Sequence, residues 1–123
     1  MNGPQRKQRR RTKGWRAPSG STYVGRGSKW GNPYAVQPNG QAHTVTDTGT
    51  TGVIYSSTSA TDARRVAVAW YRAWLDGQPE LRAAVRQQLA GRDLLCWCPL
   101  PAEGEPDYCH AVVLLDLANQ ETP

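Results

Sequence analysis

A small α/β or α+β domain is the fold class this sequence predicts: a mostly parallel sheet with a helical crossover, a β-hairpin insertion and a C-terminal helix. Three observations carry that expectation. Two short strand-like segments, "STYV" at 21–24 and "LLCWC" at 94–98, bracket two helical patterns, and such an order favours a parallel pair joined by a right-handed crossover. Between the first segment and the helices lies a polar, β-prone stretch with alternating apolar residues. After the second segment and a proline-rich loop comes an apolar run of helical length.

Taken in order, the first strand ends at Gly25 and Gly27, and the Gly-x-Gly lacks both the third glycine and the immediate helix of a dinucleotide site. From Tyr34 to Thr58 a hairpin or two short strands is expected, with Val45 before a turn at Asp47–Gly49 and Val53, Ile54 and Tyr55 after it. The part from about 37 to 58 reads as an insertion. Ser59 or Thr61 caps the first helix, Asp62 lies in its first turn, and Val66, Trp70, Ala73 and Trp74 fall on one stripe. Gly77 stops that helix, and Pro79 opens a second one with Leu81, Val85 and Leu89 on its inner face and Gly91 after it. Pro99 and Pro101 end the second strand. Asp107 is a candidate cap for the last helix, whose Ala111, Leu114, Leu115 and Ala118 point inward.

The 123 residues suit one domain at 22–123. A mean hydropathy of −0.65, no apolar run of about 18 residues and no signal-peptide core imply a cytoplasmic protein with reduced thiols and no membrane partner. The charge is unevenly placed. Seven of the fifteen Lys and Arg residues, and no acid, fall in residues 1–21. So polar a segment is expected to be a disordered basic tail, with Arg9, Arg10 and Arg11 able to hold nucleic-acid phosphates by counterion release.

The candidate site gathers three pieces at the carboxyl end of the two strands, where α/β sheets bind ligands. "KWGNPY" leaves the first strand and reads either as a tight turn or as a ligand loop, with Lys29, Trp30 and Asn32 as contacts and Gly31 opening the backbone. Cys96 and Cys98 share one face at the end of the second strand, with Trp97 on the other. Cys109 and His110 begin the last helix. As C-x-C-x10-C-H, the four residues Cys96, Cys98, Cys109 and His110 could bind zinc, although structural zinc prefers wider knuckles. Alternatively, Cys98 or Cys109 is a reactive thiol at a helix N-terminus with His110 as its base, or the cysteines are small buried hydrophobes. Arg26 and Lys29 add positive charge, which with a tryptophan plane suits a phosphate joined to a flat ring.

"YVGRGSKWGNPY", "AVAWYRAWL", "GRDLLCWCPLP" and "CHAVVLLDLAN", in this order, resemble a family of small bacterial and phage proteins known as a domain of unknown function, DUF4326. The resemblance covers most of residues 22–119. It implies one shared site with Arg26, Lys29, Trp30, Gly31, Asn32, Pro33, Cys96, Cys98, Cys109 and His110, and it brings no activity. The stretch 37–58 and the loop "LPAEGEPDY" are longer than the family pattern. The expected function is binding of a nucleotide, nucleoside or nucleic-acid base at this rim, as an enzyme of group transfer or hydrolysis with Cys98, Cys109 and His110 as its reactive groups. The alternatives are a zinc-stapled nucleic-acid-binding module and a phage-type protein that binds a host partner.

Overall fold

The computed structural model describes residues 4–49 and 52–119 of the chain. Nine elements follow one another: β1 (Arg6–Gln8), β2 (Thr22–Tyr23), β3 (Tyr34–Asn39), β4 (Ala42–Asp47), β5 (Gly52–Ser57), α1 (Ala60–Asp76), α2 (Pro79–Leu89), β6 (Leu94–Cys96) and α3 (His110–Ala118). The class is α+β. One sheet is parallel, in the order β1-β6-β2, and the other is an antiparallel β3-β4-β5 meander.

The expected parallel pair is β2 with β6, Thr22 opposite Leu94 and Tyr23 opposite Leu95. Its third member, β1, lies inside the stretch expected to be a disordered tail, and that expectation is corrected here. Arg6, Lys7 and Gln8 pair with Leu94, Leu95 and Cys96. The backbone of Leu94 donates to Gln5 (3.0 Å) and that of Arg9 donates to Cys96 (2.8 Å). Three residues suffice for an edge strand because β6, buried throughout, already presents unpaired amides and carbonyls that need partners.

The meander has one more strand than the sequence suggested. Gly40-Gln41 makes the two-residue connection between β3 and β4, with Asn39 opposite Ala42 and Gly40 holding φ +64°. Pro38 is tolerated because β3 is an edge strand. A register shift at Val45/Thr46 bends the β4–β5 pair.

Helix α1 starts as expected, Ser59 accepting from the Asp62 amide, and ends at Gly77. Its buried stripe is Ala63, Val66, Ala67, Tyr71 and Leu75. Trp70, expected on that stripe, is 46% exposed and rests edge-on against Tyr34. The helix is buried from two sides, which rotates the face away from the simplest amphipathic reading. Ala63, Val66 and Ala67 pack on Val45 of the meander, while Tyr71 and Leu75 join Val85, Leu89, Leu94, Leu114 and Leu117 in the main core. In α2, Val85 and Leu89 are buried as expected and Leu81 packs beside them. Helix α3 is capped by Cys109 without a side-chain bond, so Asp107 is not its cap. The expected extension to Gln120 lies outside the described residues.

Candidate functional site

The three cysteines arrive from two chain segments at one point. Cys96 closes β6, Cys98 follows two residues on, and Cys109 immediately precedes α3. Their Sγ atoms all lie within 4.8 Å of one another, Cys96 to Cys98 at 3.5 Å. Cys96 and Cys109 are buried, and Cys98 is half-buried.

Three thiols this close cannot ionise independently. Hydrogen bonds from Cys109 and Cys98 push the Cys96 thiol far down. The Cys109 thiol is pushed far up by Cys96, Cys98 and burial. For Cys98, Cys109 pulls downward but Cys96 and burial prevail and raise it. Among the three, Cys96 is thus the thiol whose ionised form its neighbours favour.

His110 stands beside this trio but is not one of it. Its Nε2 lies 2.6 Å from the Val24 carbonyl oxygen, which can only accept, so Nε2 carries the proton. Nδ1 then turns toward Cys109 Sγ at 4.0 Å, and the ring edge meets Tyr71. The four-residue metal set read from the sequence becomes a set of three, because only the three sulfurs all lie within 4.8 Å of one another, and His110 Nδ1 approaches Cys109 alone among them. The pairing of His110 is with Cys109 and not with Cys98.

Arg6 frames the cluster and was missed entirely. Its guanidinium donates to the Cys98 carbonyl (2.6 Å), the Pro99 carbonyl (3.0 Å) and both oxygens of Asp107 (2.9 and 2.6 Å). The Arg6 side chain is only 3% exposed. Burial opposes its charge, yet Asp107 and the field of Cys109 and Cys98 keep its pKa above the ordinary arginine value. One side chain thereby ties the Cys98 segment to the residue two positions before Cys109. An arginine in a basic tail carries no local signal of such a role.

Over the cysteines opens a cleft of about 440 Å³. Arg11, Arg26 and Arg64 line it with Tyr34, Trp97 and Tyr108, and Asn32 and His110 also reach it. No carboxylate lines it among the described residues. Arg9 and Arg11 lie over the Trp97 ring at 5.0 and 4.6 Å, and Arg9 also covers Tyr23 at 4.8 Å. A shallower concavity next to it is lined by Arg9, Arg10, Trp15, Tyr23 and Trp97.

Of the "KWGNPY" loop, only Asn32 and Tyr34 reach the cleft. Trp30 is a core residue, 4% exposed, whose carbonyl accepts from Tyr71 Oη at 2.8 Å. Lys29 bonds Gln88 of α2 (2.8 Å) and covers the Trp30 ring. Gly31 fits against the Gly25 carbonyl, 3.3 Å from where a Cβ would stand. Asn32 donates to the Ala67 carbonyl and accepts from the Tyr34 amide. The loop is thus mainly a wedge between strand and helices. Of the expected ligand contacts, the fold brings Arg26 and Asn32 to the cleft over the cysteines.

These features define a small α+β protein whose cleft has cationic and aromatic walls and a three-thiol floor. The family model described as "Domain of unknown function (DUF4326)" matches residues 7–120, and the chain belongs to that family. None of the curated proteins and none of the solved structures matches the chain. Among the described residues, no helix is long and apolar enough to cross a membrane.

Proposed function

We propose that the protein binds a nucleotide in the cleft over Cys96, Cys98 and Cys109. The observation that carries this reading is the wall composition: Arg26 and Arg64 face the same space as Tyr34 and Tyr108, with no carboxylate among the described lining residues. Guanidinium groups supply bidentate donors for a phosphate, and tyrosine rings offer planes for a base. The cleft volume lies within the range of small-ligand sites. The proposal is one of binding, since both ring nitrogens of His110 already face partners.

A second reading, contact with a nucleic-acid strand, is favoured by one feature. The neighbouring concavity carries Arg9 and Arg10 and shares Trp97 with the cleft, which extends the cationic and aromatic surface beyond one nucleotide. Calorimetric titration with mononucleotides and with a short single-stranded oligonucleotide separates the two. Mononucleotide binding that weakens about 10- to 100-fold in Arg26→Ala or Arg64→Ala supports the first, the size following from one charge-assisted bond. Binding of the oligonucleotide alone, weakened by Arg9→Ala and Arg10→Ala, replaces it with the second. Absence of both overturns the reading.

A further inference from the structure

We propose that Cys96, Cys98 and Cys109 form a three-thiolate zinc site whose fourth coordination position opens into the cleft. The inference stands apart from what the cleft binds, since it rests on the cysteines and their surroundings alone.

Geometry comes first. A tetrahedral zinc with bonds of about 2.3 Å to sulfur places its sulfurs about 3.8 Å apart. Cys96 and Cys98 are at 3.5 Å, and all three sulfurs lie within 4.8 Å. Shifts of about 1 Å or less complete the set. Three thiols serving only as small hydrophobes have no reason to aim at one point, least of all from two segments joined by a loop containing Pro99, Pro101 and Pro106.

The surroundings are the second argument. A guanidinium beside apolar thiols is poorly placed, whereas beside metal-bound thiolates it offsets their excess negative charge. Arg6 occupies that position, fixing the Cys98 backbone and Asp107 at once. Such outer contacts hold ligands in place before the ion arrives. His110 donates Nε2–H to Val24, and its Nδ1, 4.0 Å from Cys109 Sγ, lies outside the group of three sulfurs.

Chemistry closes the case. Zinc binds thiolates, so each thiol that is still protonated releases its proton to solvent as its zinc–sulfur bond forms. Zn²⁺ with three thiolates carries a net charge of minus one, and a water or a donor atom of a ligand completes the tetrahedron. All three cysteines line the cleft, so that position faces it. Three protein ligands and one exchangeable position mark a site that acts on what it binds; a purely structural zinc has four.

The test uses the full chain, reduced and without added nucleotide. Titration with Co²⁺ is expected to reach one equivalent per chain, with a near-ultraviolet sulfur-to-cobalt charge-transfer band and the intense visible bands of a tetrahedral site. Zn²⁺ is expected to displace the cobalt and to remain, one per chain, through gel filtration. Imidazole or cyanide should then shift the visible bands by entering the fourth position. Cys98→Ser should weaken cobalt binding at least tenfold with unchanged far-ultraviolet circular dichroism, whereas His110→Gln should keep the charge-transfer band. No stoichiometric binding by the reduced wild-type chain overturns the site, whatever the variants do. Visible bands indifferent to added ligand, or loss of the metal in folded His110→Gln, overturn the three-thiolate assignment and its open position.

Discussion

Arg6 and Asp107 are unequal partners, one 3% exposed and the other 23%. Removing either breaks the pair, but the consequences differ in kind. Asp107→Ala leaves a buried guanidinium with two carbonyls and the nearby cysteines but no carboxylate, and about 3–5 kcal/mol is expected to be lost. Arg6→Ala leaves a carboxylate that water can reach, so its loss should fall near the lower end, about 3 kcal/mol. Urea unfolding of both variants measures this. The reverse order would mean that the Cys98 and Pro99 carbonyls, and not the charge, dominate the arginine's contribution. Single residues were also where the sequence was least informative. Cys96 and Cys98 do meet, at 3.5 Å, but β6 ends at Cys96, so a bend beyond the strand and not alternation brings Cys98 there. The partner of Arg6 lies 101 residues away, and nothing in the spacing of a basic stretch distinguishes one arginine that is buried from those around it that are not.

At the scale of elements, the loop between β2 and β3 and the joint between β5 and α1 each make an expectation. Trp30→Ala should cost about 3–5 kcal/mol, since the indole is core. Lys29→Ala, exposed and bonded to Gln88, should change stability by about 0.5 kcal/mol or less and leave cleft binding untouched. Denaturation curves beside ligand titrations of the two variants check both. The turn reading of this loop accounts for more of it than the ligand reading, because the same glycine and asparagine chemistry serves either purpose.

The β5–α1 joint is electrostatic. Asp62 accepts from Tyr55 Oη and from Arg65, and these bonds, with Ser57, lower its carboxyl from 3.8 to about 2. A carboxylate depressed by folding contributes stability that is whole above the unfolded value and is lost as pH falls through the folded one. Thermal melts of wild type and Asp62→Asn should therefore differ above about pH 4 and converge toward about pH 2. A gap that persists at pH 2 would show that the bonds survive protonation. Helix starts and stops were legible here, since Ser59, Gly77 and Pro79 act locally. The buried face of α1 was not, because two cores compete for it.

One long helix serves two cores, the meander packing on the first half of α1 and the main core on the second. The class and the parallel β2–β6 pair were legible from element order, because crossover handedness and sheet burial leave few alternatives. The tail was misread for a reason of scale. Composition averages over twenty residues, but an edge strand asks for only three backbone partners, and β6 supplies them.

That edge strand also sets when the protein can finish assembling. β1 precedes every other described element, yet its pairing partner begins at Leu94 and its ion-pair partner is Asp107. On the ribosome it must wait, unpaired, until nearly all the described chain has emerged. The meander and α1, whose contacts are close in sequence, need no such delay. The three sulfurs come from the same late-closing region, so the segment that completes the parallel sheet also creates the cleft floor. A shortened nascent chain would hold helices and a hairpin, a loose N-terminal strand and no site.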